Sequence, residues 1–146
     1  LLGAAEIDLE FNVNVSTGSD GLILGGSGGH ADTAAGAELA IVTTRLASSV
    51  GPKLVQRVGC LTTPGETIDV VVTEAGVAVN PRRAELKERL VAAGIEVVDI
   101  AALHARALQM APQRMAARPS AGEARVVAVV EYRDVRVTDL IRQVGR

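Results

Sequence analysis

Glycine, through its placement, limits this chain more than any other residue. Eight of the fifteen glycines lie before residue 37, four of them in the run Gly25-Gly26-Ser27-Gly28-Gly29, whereas all five prolines come after residue 50. Residues without a Cβ suit tight bends and close backbone approach, not a hydrophobic interior. The interior must be built elsewhere, and almost without rings, because Phe11 and Tyr132 are the only aromatic residues. Val, Ile, Leu and Ala have to supply it. With 48% apolar and 22% charged residues in 146, the chain has enough of them for one packed domain and is not disordered.

The formal net charge is −2, and neither a basic surface nor stacking rings are available, which argues against a nucleic-acid platform. Charge is uneven along the chain: residues 1–73 carry three basic and eight acidic groups, residues 74–146 twelve and nine. An acidic, glycine-rich front and a basic rear present different surfaces. The single Cys60 excludes a disulfide framework and has no metal-ligand companions. No apolar run approaches the roughly 18 residues of a membrane span, and no signal peptide is recognisable, so the expected compartment is the cytoplasm. The chain opens on Leu1 with no lead-in, and we expect it to be the later part of a longer polypeptide.

Periodicity alternates strand and helix. Apolar residues at Ile7, Leu9, Phe11, Val13 and Val15 predict one strand with a buried face. Leu22-Ile23-Leu24 predicts a short strand entering the glycine run, His30 to Ala37 a helix, and Leu39 to Val42 a buried strand. Leu54 to Val58, Asp69 to Thr73 and Val77 to Val79 are further β-rich runs. Asn80-Pro81 starts a helix, with Asn as cap and Pro at its first position, Leu86 and Leu90 on one face and Gly94 closing it. Asp99 caps another, with a stripe of Ile100, Leu103, Ala107 and Met110. Residues 111–124 read as a linker or exposed loop. Arg125 to Tyr132 and Val135 to Val144 read as a hairpin whose Asp134-Val135 is a poor tight turn, so that an irregular connection is expected. The fold class is α/β, with domain 1–110, linker 111–124 and C-terminal hairpin 125–146.

The sharpest chemical feature is Gly25 to Asp32, between a strand and a helix. Backbone N–H groups of such a loop suit a phosphate, a carboxylate or the oxyanion of an attacked thioester; a ligand-free crossover is the plain alternative. A Walker loop is excluded, since the only lysines are Lys53 and Lys87. The spacing Gly26-x-Gly28-x-x-Ala31 matches the dinucleotide fingerprint in letters, but the next strand ends in Thr43-Thr44 with no acidic residue for a ribose.

Several stretches in fixed order resemble the second half of the coenzyme A transferases, and within them most closely the citrate lyase alpha chain family. They are Phe11-Asn12-Val13-Asn14-Val15, Thr17-Gly18-Ser19-Asp20-Gly21, Gly25-Gly26-Ser27-Gly28-Gly29-His30, Thr63-Pro64-Gly65-Glu66-Thr67, Val70-Val71-Val72-Thr73-Glu74, Val79-Asn80-Pro81-Arg82-Arg83 and Val127-Ala128-Val129-Val130-Glu131-Tyr132-Arg133-Asp134. The likeness runs from residue 1 to about 100 and returns over 125–144.

The resemblance implies an open α/β sheet of the coenzyme A transferase type, here a second-domain portion. It implies exchange of acetyl for citrate on an acyl-carrier thiol, giving a citryl thioester and acetate. The thiol belongs to a coenzyme A-like prosthetic group on a small acyl carrier protein, with no metal. A separate lyase subunit then cleaves the citryl thioester within an oligomeric citrate lyase complex. The citrate lyase type is thought to pass through a mixed anhydride; other members acylate a glutamate whose counterpart would lie upstream of Leu1. No catalytic residue is therefore assigned, and the 146 residues alone are expected to turn over little or nothing. Other readings are a non-catalytic acyl-CoA or sugar-phosphate binding module of the same superfamily fold, and an inert gene fragment.

The candidate substrate-binding residues are Asn12, Asn14, Gly25, Gly26, Ser27, Gly28, Gly29 and His30. The loop N–H groups would face the thioester carbonyl or substrate carboxylates. Asn12 and Asn14, two apart in one strand, would share a face and donate to carboxylate or pantetheine amide groups, or be ordinary strand-end asparagines. His30 is either an anion or proton-transfer group or, the reading we favour, a neutral ring bonded to the loop. Asp32 suits a helix start. Glu74 is a cleft or loop carboxylate, His104 a surface or core residue, and Cys60 a small core residue. Arg82-Arg83 is a phosphate or carrier contact or a solvated face.

Overall fold

The computed structural model describes residues 1–18, 20–112 and 125–143. The expected linker lies outside them from residue 113 onward, as does Val144 at the end of the last expected strand.

The principal sheet has four strands in the order β1-β4-β8-β9, namely β1 (Leu2–Gly3), β4 (Ile41–Thr43), β8 (Val70–Thr73) and β9 (Gly76–Val79). The first three are parallel, and β9 returns antiparallel to β8 through Glu74-Ala75. A second sheet, β3-β2-β7, joins β2 (Glu6–Asp8), β3 (Val13–Asn14) and β7 (Leu54–Val55). Two small antiparallel pairs, β5–β6 (Ala47–Ser48 with Gly51–Pro52) and β10–β11 (Val126–Glu131 with Val137–Arg142), complete the strands. The helices are α1 (His30–Gly36), α2 (Ala84–Ala92) and α3 (Ile100–Met110). The architecture is thus mixed α/β with open sheets. α3 packs against β5, β6, β7 and β9.

The core lies between α3 and the two larger sheets. It is aliphatic, as the composition requires, with Ile7, Val13, Val42, Leu46, Leu54, Ile68, Val71 and Leu103 buried around the one phenylalanine, Phe11. The α3 stripe is buried at Ile100, Leu103 and Ala107, but Met110 is 58% exposed because the helix has run past the strands by its last turn. The expected cap holds at α3, whereas Asn80 caps a short 3-10 turn, Pro81–Arg83, that leads into α2, and α2 itself starts without a side-chain cap. Asn80 accepts from the Arg82 N–H at 3.1 Å and Asp99 from the Ala101 N–H at 2.7 Å, and Gly94 takes a left-handed φ of +80° after α2. Leu86 and Leu90 are half-buried, the best-covered positions of an otherwise exposed helix.

Four expected strands differ. Leu39 to Val42 is a strand only over Ile41–Thr43, with Val42 buried and Leu39 42% exposed. Ile7 to Val15 is not one strand but the hairpin β2–β3. The Asp8 carboxylate accepts from the Glu10 and Asn12 N–H groups, both at 3.0 Å, and closes a turn that ends with Phe11 at φ +65°. Side chain-to-backbone bonding of this kind competes with strand pairing. The hairpin buries Ile7, Phe11 and Val13 as a single strand would, but Glu6, Asp8 and Asn14 at the intervening positions are buried too, so the expected single buried face is replaced by two covered ones. Leu22-Ile23-Leu24 has a single bridge, Thr17 to Ile23, and its side chains are 55–63% exposed. The run Leu54 to Val58 pairs only over Leu54–Val55, after which the chain turns so that the Val58 and Gly59 N–H groups meet the carboxylates of Asp8 and Glu6.

The C-terminal hairpin forms with the irregular connection expected. Val135 sits at φ +59°, and the β10–β11 register shifts at both ends. It docks through β11. Asp139 accepts from the Leu61 N–H at 2.8 Å, and Thr138 donates to the Leu61 carbonyl at 2.9 Å.

Candidate functional site

The glycine run leaves the small turn over residues 16–24, and that turn stands on Asn14. Asn14 is fully buried; its Oδ1 accepts from the Ser16 and Thr17 N–H groups, and its Nδ2 donates to Thr17 and to the Glu6 carboxylate. Ser16 pairs with Thr62, whose Oγ1 also accepts from the Val15 N–H. The Ser16 carbonyl then takes the Leu24 N–H at 2.8 Å, one residue before the glycines. Buried polar groups in this network are satisfied by one another, so it forms a rigid floor under the loop.

Gly25, Gly26, Gly28 and Gly29 are exposed and Ser27 is half-buried. None of the five N–H groups has a hydrogen-bond acceptor among the described residues. Gly28 has a left-handed φ of +52°, which favours glycine on conformational grounds. Gly25, Gly26 and Gly29 do not, and a Cβ on Gly25 or Gly26 would meet nothing within 4 Å, while on Gly29 the nearest atom is Thr33 Oγ1 at 3.9 Å. Gly65 is the contrast: a Cβ there would overlap the Glu10 carbonyl oxygen, so its lack of a side chain is explained inside the chain. At Gly25, Gly26 and Gly29 nothing among the described residues fills the space a Cβ would take. Free donors and open space on the same loop can accept an anionic or carbonyl oxygen from outside.

His30 opens α1 directly after the run. Its Nε2 lies 2.9 Å from the Gly3 carbonyl and its Nδ1 2.8 Å from Thr63 Oγ1. A carbonyl can only accept, so Nε2 carries the proton and Nδ1 accepts from the Thr63 hydroxyl. Burial holds the imidazole below its ordinary 6.5, with the Gly3 carbonyl pulling weakly the other way. Both ring nitrogens are used within the chain, in line with the neutral, loop-bonded reading.

Asn12 is not in a strand and shares no face with Asn14. Its Oδ1 accepts from the Gly65 N–H at 2.9 Å, and its Nδ2 donates to Asp8 at 3.2 Å. The structure therefore brings the loop and His30 together, with Asn14 holding the turn before the run, and Asn12 instead tied to Asp8 and Gly65. Glu74 spends both carboxylate oxygens on the Leu46 N–H. Arg83 pairs with Asp69 at 3.2 Å and donates to the Glu38 carbonyl, while Arg82 faces Glu66 at 3.9 Å. Asp32 makes its ion pair with Arg133 of the hairpin at 3.6 Å, between two largely exposed side chains. Cys60 is buried, and burial with the neighbouring Asp139 charge pushes its thiol up to about 11, the behaviour of an inert core thiol.

Sequence reasoning passed over Glu6, Asp8, Thr62 and Thr63, the residues that hold this arrangement. For Asp8 a signal existed, since an Asp followed by a polar residue four positions on fits a side chain-closed turn as well as a strand. For Glu6, Thr62 and Thr63 none did, because their partners lie far away along the chain.

Among the described residues, no helix is long and apolar enough to cross a membrane. A family model described as citrate lyase, alpha subunit, matches residues 1–144. The chain is 50% identical to the citrate lyase alpha chain of Klebsiella pneumoniae and 49% identical to that of Escherichia coli K12, over 99% of this chain and 28% of each relative. A crystal structure from Streptococcus mutans, of a protein assigned as the alpha subunit of citrate lyase in complex with citrate, superposes with a TM-score of 0.90. It is 40% identical, over 99% of this chain and 28% of its own. The chain thus spans 28% of the length of the relatives it matches.

Proposed function

Because this chain belongs to the citrate lyase alpha subunit family, we propose that it is the substrate-facing second-domain portion of a citrate coenzyme A-transferase. Residues 1–110 form a domain of the coenzyme A transferase type, and the hairpin β10–β11 braces it. The reaction exchanges acetyl for citrate on an acyl-carrier thiol: a citrate carboxylate attacks the acetyl thioester, and the released thiolate then attacks the citryl carbonyl of the resulting mixed anhydride. The products are citryl thioester and acetate.

One observation carries this reading. Five consecutive backbone N–H groups have no acceptor among the described residues, on a loop whose glycines at 25, 26 and 29 would meet no described atom closer than 3.9 Å if they carried a Cβ. Aligned amide donors stabilise negative charge developing on a carbonyl oxygen and also bind carboxylates, the two things that this exchange presents. The match to a relative solved with citrate supports the acid in question. The thiol is that of a coenzyme A-like group on an acyl carrier protein. It reaches the loop from outside, where the exposure of residues 22–29 leaves room. The partners are that carrier and the citryl lyase subunit, in an oligomeric cytoplasmic complex. Asn12 and Asn14 contribute through the loop's position, since their polar atoms are occupied.

Glu6 and Asp8 are buried and bonded to backbone N–H groups, so neither is assigned as an acyl acceptor. The 146 residues alone should therefore release no acetate. The test is a chimera in which they replace the segment they match in the Klebsiella pneumoniae alpha chain, supplied with citrate and acetyl-carrier thioester. Acetate release by the chimera supports the proposal; a folded chimera with none refutes it.

A further inference from the structure

His30 touches three parts of the fold, one through its backbone and two through its ring. Its backbone N–H bonds the Ser27 carbonyl inside the glycine run at 3.2 Å. Its Nε2 reaches Gly3 in β1, the first strand of the four-stranded sheet, and its Nδ1 reaches Thr63. Thr63 is fully buried and exchanges backbone hydrogen bonds with Val13, at 2.9 and 3.0 Å, at the edge of the three-stranded sheet. No other side chain among the described residues ties the exit of the loop to both sheets by hydrogen bonds. Within the run itself, only the Ser27 and Gly29 carbonyls accept backbone hydrogen bonds among the described residues, both from α1, and the N–H groups of residues 25–29 have no acceptor there.

We infer that His30 is a positioning residue, not a ligand or a proton carrier: with Thr63 it forms a two-bond staple that aims the N–H groups of Gly26 to Gly29. The inference deepens the proposed function and rests on its reading of the loop as substrate-facing. Chemistry separates this role from the alternatives. A ligand for citrate or a proton donor needs the charged ring or a free nitrogen, whereas a staple needs only one donor towards Gly3 and one acceptor towards Thr63. A neutral carboxamide offers both, so glutamine is the conservative replacement. Thr63→Val removes the hydroxyl at nearly constant volume and leaves the ring in place.

The test uses the 146-residue chain, labelled with ¹⁵N, with citrate as the probe. Proton–nitrogen correlation should find His30 neutral and protonated on Nε2 near pH 7, before and after citrate is added. His30→Gln should keep the Gly26 to Gly29 amide resonances and their response to citrate. Thr63→Val and His30→Ala should shift those resonances and weaken citrate binding roughly tenfold. Thermal unfolding of Thr63→Val identifies loss from misfolding, and its folded spectrum then decides the matter even if His30→Ala does not fold. Protonation of His30 on citrate binding overturns the inference, as does loss of the citrate response in His30→Gln as complete as in His30→Ala. If citrate moves no loop amide in any form while the variants still displace the loop, the substrate reading falls and the staple stands.

Discussion

Gly26 offers the cleanest separation of folding from function, because the two respond to a side chain there in opposite directions. A Cβ at Gly26 meets nothing within 4 Å, and its backbone is outside the left-handed region. Gly26→Ala should therefore stabilise the fold by about 0.4–1 kcal/mol, through the lower entropy of the unfolded chain. At about 2.1 cal/mol/K of unfolding entropy per residue, 146 residues move by about 3 °C in Tm for each kcal/mol, so a rise of roughly 1–3 °C is expected. Gly28 is the control. Its φ of +52° makes Gly28→Ala cost about 1–2 kcal/mol, a fall of roughly 3–6 °C. Function should tell the reverse story at Gly26. A valine side chain projecting where substrate oxygen approaches forfeits at least one hydrogen bond to a charged or developing charged group, about 1.5–3 kcal/mol. In the chimera, Gly26→Val should lose roughly 13- to 160-fold in kcat/KM for acetate release while calorimetry finds the fold intact. Turnover within twofold of the parent would show that the glycine's openness serves no substrate, and the argument from unexplained glycines would fail.

Other consequences follow from the packing around the loop. Asn14→Ala should destabilise by about 3 kcal/mol or more in urea titration, because it strands the Ser16 and Thr17 N–H groups and one bond to the buried Glu6 carboxylate; Asn14→Asp should be worse, setting a second carboxylate against Glu6. Gly65→Ala should cost about 1–3 kcal/mol or more, since its Cβ overlaps backbone of the β2–β3 turn that cannot yield as a flexible side chain would. His30 has a folded-state pKa below 6.5, so the unfolded chain binds the proton more readily. Its contribution to stability is complete above that value and is lost as the pH falls below it; His30→Gln should flatten that part of the Tm-against-pH curve. Cys60, pushed up to about 11, is roughly one part in a thousand thiolate at pH 8, so iodoacetamide should label the native chain far more slowly than the urea-unfolded one.

Local chemistry determined a good deal by itself. Asn80-Pro81, Asp99 and Gly94 mark their helix ends through bonds that span two or three residues, and the structure keeps each of them. The lack of aromatics imposed an aliphatic core, and the run Gly25 to Gly29 marked an exposed loop leading into α1. Parity alone could not separate a strand from a hairpin over Ile7 to Val15, because a three-residue turn returns the same side chains to the interior. Nor could the apolar run Leu22 to Leu24 reveal its exposure, since hydrophobicity records what a residue prefers and not whether a partner surface is there to cover it. Only the tertiary structure decided that Asn14 bonds the turn before the loop and that the His30 ring reaches Gly3 and Thr63. Their partners Glu6, Gly3 and Thr63 stand 8, 27 and 33 residues away in sequence, and hydrogen bonds between such positions exist only once the sheets have brought them within 3 Å of each other.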